Sequence, residues 1–322
     1  MRAVRVQQYG GPDVMHVEDL PVPEPGPGEA RVKIAAAGVN FIDIYKRSGQ
    51  YKSALPLVLG EEGAGVVDAV HASVSDVRPG DRVAFAMQTG AYAEYALVPS
   101  WKLVPVPLDV ELTTAAAIML QGMTAHYLAY STYPLKSGDT ALVHAGAGGV
   151  GQILIQLARR RGAHVIATVG SEEKAQIARA CGADEVVQYR EQDFAELARA
   201  FTNGRGVDVV YDSVGQTTFE QSLNCLRPRG FLVLFGQSSG AVAPIDPQIL
   251  NAKGSLFLTR PTLAHYTLDR AELMQRSGDL FDLLGRGELK IRVDRSFPLE
   301  QAAEAHHVLA ARETMGKVLL TV

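Results

Sequence analysis

A glycine-rich turn constrains the fold of this 322-residue chain more than any other stretch. The turn, residues 144–151 (HAGAGGVG), follows a short apolar run and precedes a segment, 150–161, with apolar residues at helical spacing. Gly146, Gly148 and Gly151 fit the G-x-G-x-x-G pattern, in which glycines permit a tight turn, close approach of a pyrophosphate, and packing of helix on strand. Backbone N–H groups and the helix dipole then face the phosphates. Glycine clusters also form ordinary turns, but the order strand, loop, helix predicts a dinucleotide site.

Strands and helices alternate around this turn. Nearly continuous apolar runs such as Val207–Tyr211 are typical of parallel strands covered on both faces. The pattern predicts six parallel strands in a doubly wound α/β (Rossmann) arrangement. The expected strands are 140–144, 165–169, 185–189, 207–212, 231–235 and 255–259, and the expected helices are 150–161, 172–181, 193–201 and 217–226.

The first 110 residues are predominantly β in pattern. Short strands separated by glycine and proline predict a compact barrel or sandwich, followed by two helices at 113–120 and 124–130. The tail after Arg260 is too short to form a core of its own, so we expect it to complete the N-terminal domain. The segment 241–254 is expected to be irregular.

Composition limits the classes of partner and compartment. The net charge of −4 and the absence of clustered Lys and Arg make nucleic acid an improbable partner. No apolar run approaches the roughly 20 residues of a membrane helix, and the first residues resemble a strand rather than a signal peptide. The two cysteines, Cys181 and Cys225, cannot form a disulfide framework, which favours a cytoplasmic location.

The end of the second strand bears on the choice of cofactor. An NAD site usually has an Asp or Glu there for the ribose 2′-hydroxyl, but this chain has Gly170. Ser171, Lys174 and Tyr189 are candidates to bind a 2′-phosphate, so NADPH is favoured over NADH. Alternatively, Ser171 only caps a helix and Lys174 is a solvated surface charge.

Several motifs together resemble those of a known family. They are GVNFIDIYKRSGQY (38–51), PGDRV (79–83), the glycine turn, YDSVG (211–215) and FGQSSG (235–240). Over essentially its full length the chain resembles the zinc-free, zeta-crystallin-like quinone oxidoreductases of the medium-chain dehydrogenase/reductase superfamily. The resemblance implies a GroES-like β-rich catalytic domain formed by 1–121 plus 261–322, and an NADPH-binding Rossmann domain at 122–260.

We expect no metal. The superfamily's zinc alcohol dehydrogenases resemble this chain but have a ligand Cys near 40–43 and a ligand His at position 61. Here no Cys precedes Cys181, and Glu61 occupies the His position. Many quinone reductases have a small neutral residue at that position. The sequence leaves open whether Glu61 faces the site or pairs with a nearby base.

The resemblance also implies the site residues. Asn40, Asp43, Tyr45 and Tyr51 would lie at the acceptor, although the tyrosines are alternatively interface packing and Asp43 alternatively orients a loop. The residues implied for the cofactor are Asn40, Tyr45, Thr124, Gly146, Gly148, Gly149, Val150, Gly151, Gly170, Ser171, Lys174, Tyr189, Ser213, Phe235, Gly236, Gln237, Ser238, Arg260 and Arg312.

The function expected is that of an NADPH:quinone oxidoreductase. Without a Lewis acid, the acceptor must already be electrophilic, and one-electron or two-electron transfer to a quinone remains open. Two alternatives are a zinc-free NADPH-dependent enone or alkenal reductase, and an NADPH-binding structural or RNA-binding crystallin-like protein. Because the 255–259 strand is an exposed edge, and because the family is commonly dimeric, we expect a homodimer through that strand.

Overall fold

The computed structural model describes residues 1–322, which form two compact units. The first unit comprises Met1–Met123 and Tyr266–Val322, and the second comprises Thr124–His265. The domain bounds expected from the sequence, 121/122 and 260/261, stay a prediction. None of the helices has the length and hydrophobicity of a membrane-spanning segment.

The first unit contains two sheets. A seven-stranded sheet has the order β15-β16-β3-β5-β6-β8, with β7 on β3, and a three-stranded sheet has the order β2-β1-β4. The strands are β1 Arg2–Val6, β2 Met15–Asp19, β3 Glu29–Val39, β4 Leu57–Val58, β5 Glu62–Val70, β6 Arg82–Ala86, β7 Tyr95–Pro99, β8 Val104–Pro105, β15 Val293–Pro298 and β16 Lys317–Thr321. The helices are α1 Phe41–Ser48, α2 Leu112–Tyr127, α8 Arg270–Gly285 and α9 Ala302–Ala310, and α2 continues into the second unit.

The C-terminal tail completes this unit. Strand β16 pairs antiparallel with the last residues of β3, with Val318 opposite Val39, and β15 pairs parallel with β16. The first residues of β3 pair instead with β7. The long strand β3 therefore holds two partners along one edge, and its end delivers the chain directly into α1.

The second unit contains the predicted parallel sheet. Its order is β11-β10-β9-β12-β13-β14, and every adjacent pair is parallel. Together with the separate β-rich unit, this confirms the predicted fold class. The strands are β9 Thr140–Val143, β10 His164–Val169, β11 Glu185–Gln188, β12 Val207–Asp212, β13 Leu226–Leu234 and β14 Phe257–Thr259; the helices are α3 Gly149–Arg160, α4 Glu172–Ala180, α5 Phe194–Phe201, α6 Phe219–Cys225 and α7 Gln248–Ala252.

Some local predictions were wrong. The two helices expected at 113–120 and 124–130 are one helix, α2, followed by a π-helical turn at Leu128–Thr132. Gly122, between the two predicted helices, serves close packing, because an added Cβ would lie 2.6 Å from Ile118 Cγ1 and 3.0 Å from Leu280 Cδ1. The segment expected to be irregular contains the short helix α7.

Candidate active site

The glycine turn connects β9 to α3, as its spacing predicts. Ala145 enters the turn with a φ of 53°, and Gly148 is the N-cap of α3. A Cβ on Gly146 would lie 2.8 Å from Ala167 Cβ, and one on Gly151 would lie 2.3 Å from the Ala145 carbonyl oxygen. These two glycines are therefore required by the packing of the protein on itself.

Gly148 differs from the other two glycines. The nearest atom to an added Cβ is the Ala145 carbonyl oxygen at 3.2 Å, and its φ of −76° is available to any residue. No side chain caps the N-terminus of α3 at this residue. The fold therefore does not need glycine here, whereas an anion approaching the backbone N–H groups of Gly149 and Val150 would.

Two neighbouring strand ends carry the residues predicted for the far end of the cofactor. Gly170 follows β10, and a Cβ on it would lie 3.1 Å from Tyr189 Oη and 3.7 Å from Arg190 Nε. Arg190 is exposed and comes directly after Tyr189 at the end of β11, and it is a candidate phosphate-binding cation that was not predicted from the sequence. The signal was its position beside Tyr189, at the carboxyl end of a parallel strand.

Ser171 and Lys174 lie at the start of α4. The Ser171 hydroxyl accepts a 3.4 Å hydrogen bond from the Lys174 backbone N–H, so Ser171 does cap the helix. Capping uses the hydroxyl as an acceptor and leaves its proton available as a donor. Glu172, in the first turn of α4, is engaged by Arg179 and Gln188.

Other predicted cofactor residues follow β12 and β13. The Ser238 N–H donates to the Ser213 carbonyl oxygen at 3.1 Å, and a Cβ on Gly236 would lie 2.6 Å from that same oxygen. Phe235 and Gln237 flank Gly236, and all lie at the carboxyl ends of strands. Of the remaining candidates, Thr124 is buried in α2, Arg260 follows β14 and is exposed, and Arg312, with a φ of 59°, lies in the first unit.

A chain of hydrogen bonds among buried polar side chains connects the elements that carry these strand ends. His144 Nδ1 is 2.8 Å from Thr168 Oγ1, and its Nε2 is 2.9 Å from Ser222 Oγ. Ser222 donates to the Asp212 carboxylate, which also accepts the N–H groups of Val214 and Gly215. Burial lowers the pKa of His144, so the ring is neutral; it links β10 to α6 and, through Ser222, to Asp212 of β12.

In the first unit, α1 and the loop after it bring Tyr45 and Tyr51 together. The ring centroids are 5.2 Å apart with an interplanar angle of 59°, and the Tyr51 N–H donates to the Tyr45 carbonyl oxygen at 2.9 Å. Tyr45 is 7% exposed and Tyr51 is half-buried. The pair forms an aromatic surface with a phenol hydroxyl on each ring.

The amide of Asn40 is fully used by its own unit. Its Nδ2 donates to Glu62 Oε2 at 2.9 Å and to the Gly38 carbonyl oxygen at 3.2 Å, and its Oδ1 accepts from Lys317 Nζ at 2.8 Å. Lys317 also pairs with Glu62, and both are almost completely buried. Asn40 is thus held by a buried ion pair, which favours a positioning role over direct contact with a ligand.

Asp43 is completely buried at the start of α1. Its Oδ2 accepts from the Asn40 N–H at 2.9 Å and from Tyr92 Oη at 3.1 Å, and its Oδ1 accepts from the Glu61 N–H at 3.0 Å. Burial and the nearby Glu61 carboxylate raise the pKa of Asp43 to about 7, against the opposing effects of the Asn40 N–H, Lys317 and Tyr92. These contacts favour the alternative in which Asp43 orients the loop.

Glu61 pairs with a base, which answers the question that the sequence left open. Its carboxylate bonds to Lys46 Nζ and to Thr89 Oγ1, and the side chain is 3% exposed. No group of three or more His, Cys, Asp or Glu side chains is arranged to hold a metal ion. The donor set at position 61 therefore does not fit a zinc site.

Family models and known proteins match this chain along most of its length. Residues 26–108 match the alcohol dehydrogenase GroES-like domain, and residues 149–272 match the zinc-binding dehydrogenase model. The chain is 45% identical over 321 residues to the quinone oxidoreductase of Pseudomonas aeruginosa, with 99% of each chain covered. It is 44% identical over 326 residues to a Burkholderia 2-haloacrylate reductase, covering 99% of this chain and 98% of the relative. The Escherichia coli quinone oxidoreductase, solved in complex with NADPH, superposes with a TM-score of 0.98 at 42% identity, with both chains fully covered.

Proposed function

Because the chain belongs to the quinone oxidoreductase family of the medium-chain dehydrogenases/reductases, we propose that it is a metal-independent NADPH:quinone oxidoreductase. The observation that carries this proposal is the glycine turn. Gly148 is the one glycine of the motif that the protein's own packing does not require, and it caps a helix whose N-terminus has no side-chain cap. A bound pyrophosphate explains both features.

The residues present fit NADPH. The turn from Gly146 to Gly151, with Thr124, would hold the pyrophosphate, and the candidates after β12 to β14 would complete the site within the second unit. Gly170, Ser171, Lys174 and Tyr189 would hold the 2′-phosphate, and Arg190 adds a guanidinium beside Gly170. NADPH, when bound, supplies the reducing equivalents, and a quinone accepts them without a Lewis acid because it is already electrophilic.

On the acceptor side, the four candidates divide by their contacts. Tyr45 and Tyr51 present ring faces and hydroxyls suited to a flat acceptor, and a phenol proton can be donated to its reduced oxygen. Asn40 and Asp43 are saturated with internal hydrogen bonds, so in this proposal they position α1. Glu61 belongs to an ion pair, and no step passes through a metal.

A second candidate is the reduction of activated alkenes, favoured by the similarity to the 2-haloacrylate reductase. A matched panel separates the two functions: NADPH oxidation with 1,4-naphthoquinone and 9,10-phenanthrenequinone, against 2-alkenals and 2-chloroacrylate. We expect the quinones to be turned over with the higher kcat/KM, in enzyme treated with a chelator as well as untreated. Turnover of the alkenes with inert quinones selects the second function, and loss of activity on chelation rejects metal independence. Failure of every acceptor to oxidise bound NADPH would support the crystallin-like alternative.

The assembly proposed is a homodimer in the cytoplasm. Strand β14 is the edge of the parallel sheet, and its Phe257 is 51% exposed while stacking on Phe231 at a centroid distance of 4.5 Å. Pairing of two such edges around a two-fold axis would cover these rings and continue the sheet. The two cysteines are free thiols, which suits a reducing compartment. Light scattering of the wild type and of Phe257→Glu tests the dimer: a monomeric wild type rejects it.

A further inference from the structure

Four buried side chains of the first unit form a hydrogen-bonded circuit that begins and ends on α1. Arg47 Nη1 is 3.1 Å from His306 Nδ1, and His306 Nε2 is 3.1 Å from Tyr92 Oη. Tyr92 Oη is in turn 3.1 Å from Asp43 Oδ2. All four residues are at most 5% exposed, and they come from α1, from α9 and from the loop between β6 and β7.

The hydrogen bonds in this circuit can run in only one direction. A guanidinium has donors and no acceptor, so His306 Nδ1 must accept and its proton must lie on Nε2. Burial lowers the pKa of His306 to about 3, which keeps the ring neutral. His306 Nε2–H therefore donates to Tyr92 Oη, and the Tyr92 proton points to Asp43.

The direction of the circuit favours the carboxylate form of Asp43 and so opposes the burial that raises its pKa. A protonated Asp43 would need an acceptor, but its neighbours are the donating N–H groups of Asn40 and Glu61 and the Tyr92 hydroxyl. If Tyr92 donated to His306 instead, the His306 proton would have to lie on Nδ1, where it would face the N–H donor of Arg47. Only the carboxylate form of Asp43 satisfies every donor around it.

The circuit also flanks the aromatic surface. Asp43 and Arg47 are four residues apart on α1, with Tyr45 between them, so both ends of one helical turn are tied to the body of the unit. The Tyr45 carbonyl oxygen accepts the Tyr51 N–H, so the same turn also positions Tyr51.

We propose that Arg47, His306 and Tyr92 are positioning residues of the reaction. They stabilise the carboxylate form of Asp43, which accepts the hydrogen bonds around it. The turn of α1 that presents Tyr45 and Tyr51 to the quinone is thereby held in place. This role rests on the proposed function. The charged groups facing Asp43 from other elements are Glu61, which precedes β5, and Lys317 of β16, and neither belongs to the circuit.

The test uses the full-length protein with Tyr92→Phe, and Tyr9→Phe as its matched control. Tyr9 lies in the same unit and donates its hydroxyl to the Ser53 carbonyl oxygen, away from Asp43. Losing one hydrogen bond to a carboxylate should raise the pKa of Asp43 by about 1–2 units above its value of about 7. At pH 7 the ionised fraction, and with it kcat, should fall about 5- to 50-fold, and kcat should recover at pH 9 with the KM for NADPH unchanged.

A second measurement does not depend on activity. A carboxyl whose folded pKa is raised binds its proton more tightly in the folded state, so the free energy of unfolding falls as pH rises until the folded pKa is passed. For wild type this fall should end near pH 7, and for Tyr92→Phe it should continue to about pH 8–9. His306, whose folded pKa of about 3 lies below its unfolded value, contributes an opposite rise below about pH 6.5 in both proteins. The two proteins are therefore compared between pH 7 and 9, where only Tyr92→Phe should still lose stability as pH rises.

The outcomes separate the circuit from simple packing. Tyr9→Phe should lower the free energy of unfolding by the same amount at every pH. If Tyr92→Phe also lowers it by an amount that does not change with pH, the proposal is overturned. If Tyr92→Phe does not fold, Arg47→Met and Arg47→Lys replace it: only Met, which cannot donate, should show the shifted pH dependence, and equal behaviour of the two overturns the proposal. If the wild type does not reduce quinones but the variants show the shifted pH dependence of stability, the proposed function is rejected. The role of the circuit in stabilising the Asp43 carboxylate is then still supported.

Discussion

Two glycines of the nucleotide loop, Gly148 and Gly151, should have different effects when each is changed to alanine. Gly148→Ala and Gly151→Ala add the same methyl group three residues apart. At Gly151 the methyl would lie 2.3 Å from the Ala145 carbonyl oxygen and 2.9 Å from Gly146 Cα, both backbone atoms that cannot move without shifting the loop. At Gly148 the nearest atom is 3.2 Å away, so a shift of a few tenths of an ångström accommodates it.

The magnitudes follow from these contacts. Overpacking at Gly151 should cost about 1–3 kcal/mol, which lowers the Tm by about 3–10 °C for a unit of this size. At Gly148, a capping loss of under about 1 kcal/mol is offset by a backbone-entropy gain of about 0.4–1 kcal/mol. Its methyl group would instead keep a phosphate from the N–H groups of α3, and losing one charge-assisted hydrogen bond weakens binding by about 10- to 100-fold.

Differential scanning fluorimetry and NADPH titration measure the two quantities separately. We expect Gly148→Ala to keep the wild-type Tm and to bind NADPH more weakly. We expect Gly151→Ala to have a lower Tm, whatever its affinity for NADPH. If Gly148→Ala binds NADPH as tightly as the wild type, the pyrophosphate does not approach this glycine and the assignment of the loop is refuted. A wild-type Tm for Gly151→Ala would refute the packing argument.

Three further substitutions test other parts of the site. Lys174→Ala should weaken NADPH binding about tenfold or more and NADH binding little, because only NADPH carries the 2′-phosphate; equal losses would remove Lys174 from that role. Tyr51→Ala should lower kcat about tenfold or more without changing the dissociation constant of NADPH, and an unchanged kcat would make the ring simple packing. Lys317→Met should cost about 3–5 kcal/mol in urea unfolding, because it leaves the Glu62 carboxylate buried and unpaired; adding Glu62→Gln should restore part of that loss.

The sequence predicts the regular elements of this fold well, because each has its own local pattern. Strand Val207–Asp212 has the predicted bounds, and helix Gly149–Arg160 lies within one residue of its prediction at each end. The two-residue strands β4 and β8 were missed, because two residues cannot display a period. The gap wrongly predicted between the two helices contains Gly122, whose close approach to Leu280 is a tertiary feature with no local pattern.

In the candidate site, too, local motifs were predictable from the sequence and tertiary contacts were not. The glycine turn is a local motif, so its place between β9 and α3 was predictable from spacing alone. Arg190 approaches Gly170 only because two strands are neighbours in the sheet. The partner of Asn40, Lys317, is 277 residues away, and no local pattern reports such a contact.

Burial also decides which polar residues of the candidate site can bind a ligand. Asn40 and Asp43 have the residue types of a catalytic pair, yet each atom that could bind a substrate already has a partner within the first unit. Breaking such buried bonds to reach a ligand would cost more than a new bond returns, since an unmet buried polar group loses its full solvation. In the proposed function, the chemistry therefore falls to the two tyrosine side chains and the glycine turn, and the buried polar residues keep those groups in place.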